Sequence, residues 1–294
     1  MNRQLSPRFA AGAAFLLTAA LTLSGCASSA THPADAAAVA TEIPLHSLGG
    51  PFVTADVEIA GTMRAFAIDT GGGLTTVTPE TARLAGCTPA GRFTGFRAVG
   101  ERLDVPRCAS IPMRLGLLQL SPEAGILDIA SLGLKGVDGV IALQTLEGQA
   151  FTLDISGRRL VLETPESLAL RVQEMRELSV RESRQSGGAS LDLFVEVTAP
   201  SGNLWMELDS GNAGPVLLGP HVAQQLGVEI PKDRPGKVTL DIRGLGPTEV
   251  EAIQRDVIYD GLLYSRLFTG RLVTFDLKAK RVWMSDLLAQ QTTE

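Results

Sequence analysis

Residues 64–86 read RAFAIDTGGGLTTVTPETARLAG. An apolar run ends in Asp69, and three glycines follow it. A carboxylate at the end of a buried strand is costly to ionise, and glycines let neighbouring groups come close. The stretch then offers a helix start, with Thr78 as N-cap and Pro79 at the first helical position, and a stop at Gly86. Whether Asp69 does chemistry or merely opens a turn is decided by the rest of the chain.

The chain repeats itself. FVTADVEIAGTMRAFAIDTG (residues 52–71) matches LDLFVEVTAPSGNLWMELDSG (191–211). Each copy is an alternating strand, a polar turn and a second strand that ends in Asp-Thr/Ser-Gly. TPETARLAG (78–86) then matches GPHVAQQLG (219–227), with Gly219, Pro220 and Gly227 in the roles of Thr78, Pro79 and Gly86. Further on, residues 136–162 match 258–284: Asp138-Gly139 answers Asp260-Gly261, Asp154 answers Asp276, and Arg159 answers Arg281. The spacing predicts, in both copies, an apolar pair, a short helical stretch and a β-hairpin. Two related units are expected, at residues 42–164 and 177–287, with a linker at 165–176 and a tail at 288–294.

Each unit brings one carboxylate on a Gly-rich loop. Packed about a pseudo-twofold axis, Asp69 and Asp209 meet, and two carboxylates that close share a proton. One then acts as base on a water while the other, protonated, donates to a carbonyl. Thr70 and Ser210 are placed to hydrogen-bond across the axis, while Gly71 and Gly211 allow tight turns with amides facing the acids.

These residues resemble the aspartic protease clan. The motifs are IDTG at 68–71, LDSG at 208–211 and the apolar pairs after Asp138-Gly139 and Asp260-Gly261. The chain is similar to a bacterial retropepsin-like unit duplicated in one polypeptide. The resemblance implies a mostly β acid-protease fold of two homologous pepsin-like or retropepsin-like β-barrel lobes with short helices. It implies an aspartic endopeptidase with Asp69 and Asp209 as its dyad, acting on protein or peptide substrates, as a two-lobed monomer and without a cofactor. A non-catalytic peptide-binding protein that keeps the fold is the alternative. A structural envelope lipoprotein, its aspartates holding the lobes together, is the third.

Between the acids and the Asp-Gly pairs, the first unit has 18 more residues than the second. They fall in CTPAGRFTGFRAVGERLDVPRC (87–108). By the resemblance this is a flap over the cleft, near 93–103, with Phe93 and Phe96 and with Gly95 and Gly100 near its tip. A plain surface hairpin is the other reading. A Cys87–Cys108 disulfide would staple its base, and two free buried thiols are the alternative. Two departures stand out. Ala142 and Tyr264 occupy places where the family has glycine. Gly72-Gly73 and Asn212-Ala213 stand where a hydroxyl often supports the carboxylate.

Arg3 and Arg8 followed by an apolar run to Leu23 form a signal peptide over residues 1–25. LSGC, ending at Cys26, resembles the bacterial lipobox. That implies lipidation of Cys26, a flexible tether over 26–41, and a lipid anchor in the cell envelope, at the outer membrane facing the periplasm. With a net charge of −6 and no Lys/Arg run, nucleic acid is excluded as a partner. His32, His46 and His221 are scattered, so no metal site is expected.

Overall fold

The structure, a computed structural model, describes residues 39–288. Cys26, the signal peptide, most of the tether and residues 289–294 lie outside them. Among the described residues no helix is long and apolar enough to cross a membrane.

The molecule is mostly β, built from two pseudo-twofold-related lobes. In the first, strand Phe52–Ile59 pairs antiparallel with Thr62–Asp69, and Gly139–Ala142 lies parallel to the latter, with Ile141 opposite Ile68. The second lobe repeats this. Asp192–Ala199 pairs with Gly202–Leu208, and Gly261–Leu263 lies parallel to that strand, with Leu263 opposite Leu208. Alternation explains which faces are covered. Val53, Ala55, Val57 and Ile59 enter the main core, as do Leu193, Val195 and Val197.

The duplication extends to polar contacts. Asp138 accepts from the Ala65 N–H at 3.0 Å, and Asp260 accepts from the Trp205 N–H at 2.7 Å. These are turn carboxylates that satisfy strand amides. Helices Pro79–Leu84 and Pro220–Leu226 start at Thr78 and Gly219. Helix Pro165–Arg171, capped by Thr164, follows the first lobe.

The lobes share one sheet. Hairpin strand Phe151–Asp154 pairs antiparallel with Val273–Asp276, placing Thr152 opposite Thr274. Their hydroxyls are 2.8 Å apart, and the rings of Phe151 and Phe275 stack with centroids 4.8 Å apart. Thr152 and Thr274 are counterparts in the repeat, which places the axis of pseudosymmetry between them.

The two departures at glycine positions have different outcomes. Ala142 pairs with Asp69, buried beneath the first loop, and its N–H donates to Thr75 Oγ1. In the second lobe strand pairing stops one residue earlier, at Leu263. Tyr264 therefore leaves the strand and packs in the core, while the next residue, Ser265, donates its N–H and its hydroxyl to the Asn212 carbonyl.

Candidate active site

The two Asp-Thr/Ser-Gly loops interlock. Thr70 Oγ1 donates to the Leu208 carbonyl at 2.6 Å, and Ser210 Oγ to the Ile68 carbonyl at 3.4 Å. Each hydroxyl also accepts the other residue's N–H. All of these groups are buried, so the network fixes the two loops against each other.

Asp69 and Asp209 face one another across this grip. Gly71 N–H donates to Asp69 Oδ1 at 2.9 Å, and Gly211 N–H to Asp209 Oδ1 at 2.7 Å. The approach leaves no room for a side chain. A Cβ on Gly71 would lie 2.5 Å from Asp209 Cγ, and one on Gly211 would lie 2.5 Å from Asp69 Oδ2.

Burial raises both carboxyls above the usual carboxylate range. The amides of Gly71, Gly211 and Gly72 oppose this at Asp69. For Asp209 the negative charge of Asp69 adds to burial and drives it well up. Two carboxyls placed this way share one proton. The Gly72 amide thus offsets part of the burial effect on Asp69, at a place where a side-chain hydroxyl is missing. Gly73 adopts a left-handed φ of +59°, and a Cβ there would lie 2.9 Å from Asp192 Oδ1.

The dyad lies in a cleft of about 520 Å³ lined by both lobes. Strands Arg92–Phe96 and Arg102–Cys108 form a hairpin over it, with Phe93, Gly95 and Phe96 in the lining. Gly100 sits in the tip turn, where its N–H meets the Arg97 carbonyl. Gly95 lies further back, within the first strand. Cys87 and Cys108 are disulfide-bonded at the base of the hairpin.

Sequence reasoning missed three features. The hairpin is latched to the second lobe: Phe96 N–H donates to Gln185 Oε1 at 3.1 Å, Ser186 Oγ to the Thr94 carbonyl, and Ile258 N–H to the Ala98 carbonyl. Tyr259, whose hydroxyl accepts from Gln185 Nε2 at 3.0 Å, also lines the cleft. Finally, Asp192 and Glu207 line it beside the dyad. The shared parity of these two acids in paired strands was the available signal.

No protein-family model matches the chain, and neither does any curated protein. Solved structures do. Basic 7S globulin from soybean superposes with a TM-score of 0.55 at 12% identity, covering 87% of this chain and 97% of that one. Conglutin gamma, a basic 7S globulin from lupine seeds, gives 0.51 at 10% identity, covering 84% and 95%. At such identities the likeness concerns the fold alone, and with the lobe geometry it establishes the two-lobed, pepsin-like β fold for this chain.

Proposed function

We propose that the chain is an aspartic-type endopeptidase. The observation that carries this reading is the dyad itself. Two carboxyls share a proton, each under the other loop's glycine, in a cleft of about 520 Å³ lined by both lobes. In the reaction, Asp69 takes a proton from water as the water oxygen bonds to the peptide carbonyl carbon. Asp209 gives its proton to the carbonyl oxygen. The C–N bond then breaks, with a proton passing from the dyad to the leaving nitrogen and one hydroxyl proton of the tetrahedral intermediate returning to the dyad. Flap amides such as Phe96 N–H would hold the substrate backbone. We place the enzyme in the bacterial envelope, tethered through lipidated Cys26, acting on envelope proteins or peptides.

Cleavage of an unfolded protein mixture from acid to neutral pH tests the reading, using wild type, Asp69→Asn and Asp209→Asn. Cleavage by wild type alone is expected. Equal cleavage by all three, or none by wild type at any pH, overturns it.

A specific observation favours a second reading, a binding protein without turnover. Gln185 occupies the Phe96 amide that a substrate carbonyl would use, so the flap is held shut by the chain itself.

A further inference from the structure

The duplication supplies an internal control for the cleft. In the first lobe Thr54 pairs with Ala67, and in the second Phe194 pairs with Glu207. Strand register therefore makes Glu207 the counterpart of Ala67 and Asp192 the counterpart of Phe52. All four face away from the main core, toward the cleft side of their lobe. On the first-lobe side Phe52 is joined by Leu127, Ile129 and Val140, an apolar pocket beside the dyad. On the other side the same positions carry two acids.

Those acids are not solvated surface groups. Asp192 and Glu207 are each only 3% exposed, and both line the cleft. Among the described residues neither pairs with a lysine, arginine or histidine, and the charges acting on them are those of carboxylates, Asp69 and Asp209 included. Burial and the neighbouring carboxylates raise both carboxyls, Asp192 to about 7, so that from neutral pH upward the pair gains negative charge that no cation offsets. Arg97, the basic residue of the cleft lining, pairs with Glu101 at 2.8 Å, and Arg181 lies over the rings of Trp205 and Phe194. A buried charge without a partner is strongly unfavourable, and nothing in the fold of the second lobe calls for one. The first lobe builds the same strands with Phe52 and Ala67.

We infer that Asp192 and Glu207 form a subsite for a cationic side chain, lysine or arginine, at one of the two substrate residues flanking the scissile bond, while the Phe52 pocket takes an apolar residue on the other side. This rests on the endopeptidase reading. The walls suit such a guest: Leu217 and Leu262 line the cleft on the same lobe, so an aliphatic stem meets aliphatic surface while its head reaches the acids. The cationic head then gives the negative charge of the Asp192–Glu207 pair a salt-bridge partner inside a cleft covered by the flap.

Two assays decide it. In the first, wild type cleaves a peptide mixture, and mass spectrometry maps the residues flanking each cut. Lysine and arginine should be enriched at one flanking position. Asp192→Asn/Glu207→Gln should lower the ratio of kcat/KM for a lysine peptide to that for its norleucine analogue about tenfold. In the second, the same two peptides are titrated into Asp69→Asn by calorimetry at neutral pH. The lysine peptide should bind about tenfold more tightly, and the added Asn/Gln pair should remove the difference. The two failures are separable. If wild type cleaves nothing, the enzyme reading falls, and the calorimetric preference still decides the subsite. Cuts with no basic preference, a preference the variant leaves intact, or a variant that changes only the pH profile each overturn the subsite. Asp192→Phe/Glu207→Ala, which copies the first lobe, should convert the preference to apolar.

Discussion

Thr70 and Ser210 each give a backbone N–H to the other's hydroxyl, both at 3.0 Å, across residues 140 positions apart. The exchange is symmetric although the residues differ, and both hydroxyls still have a proton left for the opposite carbonyl.

Removing either hydroxyl strands a buried N–H. Thr70→Ala and Ser210→Ala should each cost about 1–3 kcal/mol and reduce cleavage by loosening the spacing of the dyad. Thr70→Ser keeps the hydroxyl and should lose far less. Thermal unfolding combined with kcat on one substrate separates the outcomes. An unchanged Thr70→Ala would show that the grip contributes nothing.

Gly71→Ala and Gly211→Ala push a methyl into the opposing carboxylate. Overpacking of this kind costs about 1–3 kcal/mol, and here it also forces Asp69 and Asp209 apart. Both variants should fold and lose turnover, checked by circular dichroism and by the cleavage assay.

The acid cluster makes stability depend on pH. Burial, then the charge of Asp69, pushes Asp192 up to about 7 from an unfolded value of 3.8. The folded state thus binds a proton more tightly than the unfolded chain. Its contribution is complete below pH 3.8 and is lost as pH rises through about 7. The facing groups are Glu207, Asp69, Asp209 and Tyr259. The melting temperature should fall over this window by more in wild type than in Asp192→Asn/Glu207→Gln, and the variant should be the more stable protein at neutral pH. Parallel melting curves against pH would contradict this.

Reduction of Cys87–Cys108 should cost about 3 kcal/mol on a chain-entropy model and open the hairpin to proteolytic nicking. Cys87→Ser/Cys108→Ser, compared with wild type in limited proteolysis, reads both effects.

Gln185→Ala removes the acceptor on the Phe96 amide. Hydrogen exchange at residues 94–98 should accelerate, and KM should fall because that amide becomes free for substrate. Unchanged exchange there would mean that the flap is held by Ser186 and Ile258 alone.

Much of the fold was readable because duplication leaves paired evidence. Two Asp-Thr/Ser-Gly motifs, two Pro-led helices and two Asp-Gly turns recur in the same order, and local propensity agrees with it. The flap was readable as a length difference between the copies. Asp192 and Glu207 were not, since an acid on the alternate face of a strand reads as solvent-exposed until the other lobe covers it. Gln185 was hidden for the same reason: its partners, Phe96 and Tyr259, lie far away in sequence. Tyr264 stands at a family glycine position, and only the pairing register reveals that its strand ends one residue before the equivalent of Ala142.

The shared sheet has a consequence for the isolated halves. Strand Phe151–Asp154 pairs on one side with its hairpin partner Arg159–Leu162 and on the other with Val273–Asp276, so a first half produced alone would present the second edge bare. Its natural remedy is a second copy of itself, Thr152 against Thr152, since Thr274, the counterpart of Thr152 in the repeat, already stands opposite it. A truncated first half should therefore come off a sizing column as a homodimer, with two Asp69 carboxyls where the full chain has Asp69 and Asp209.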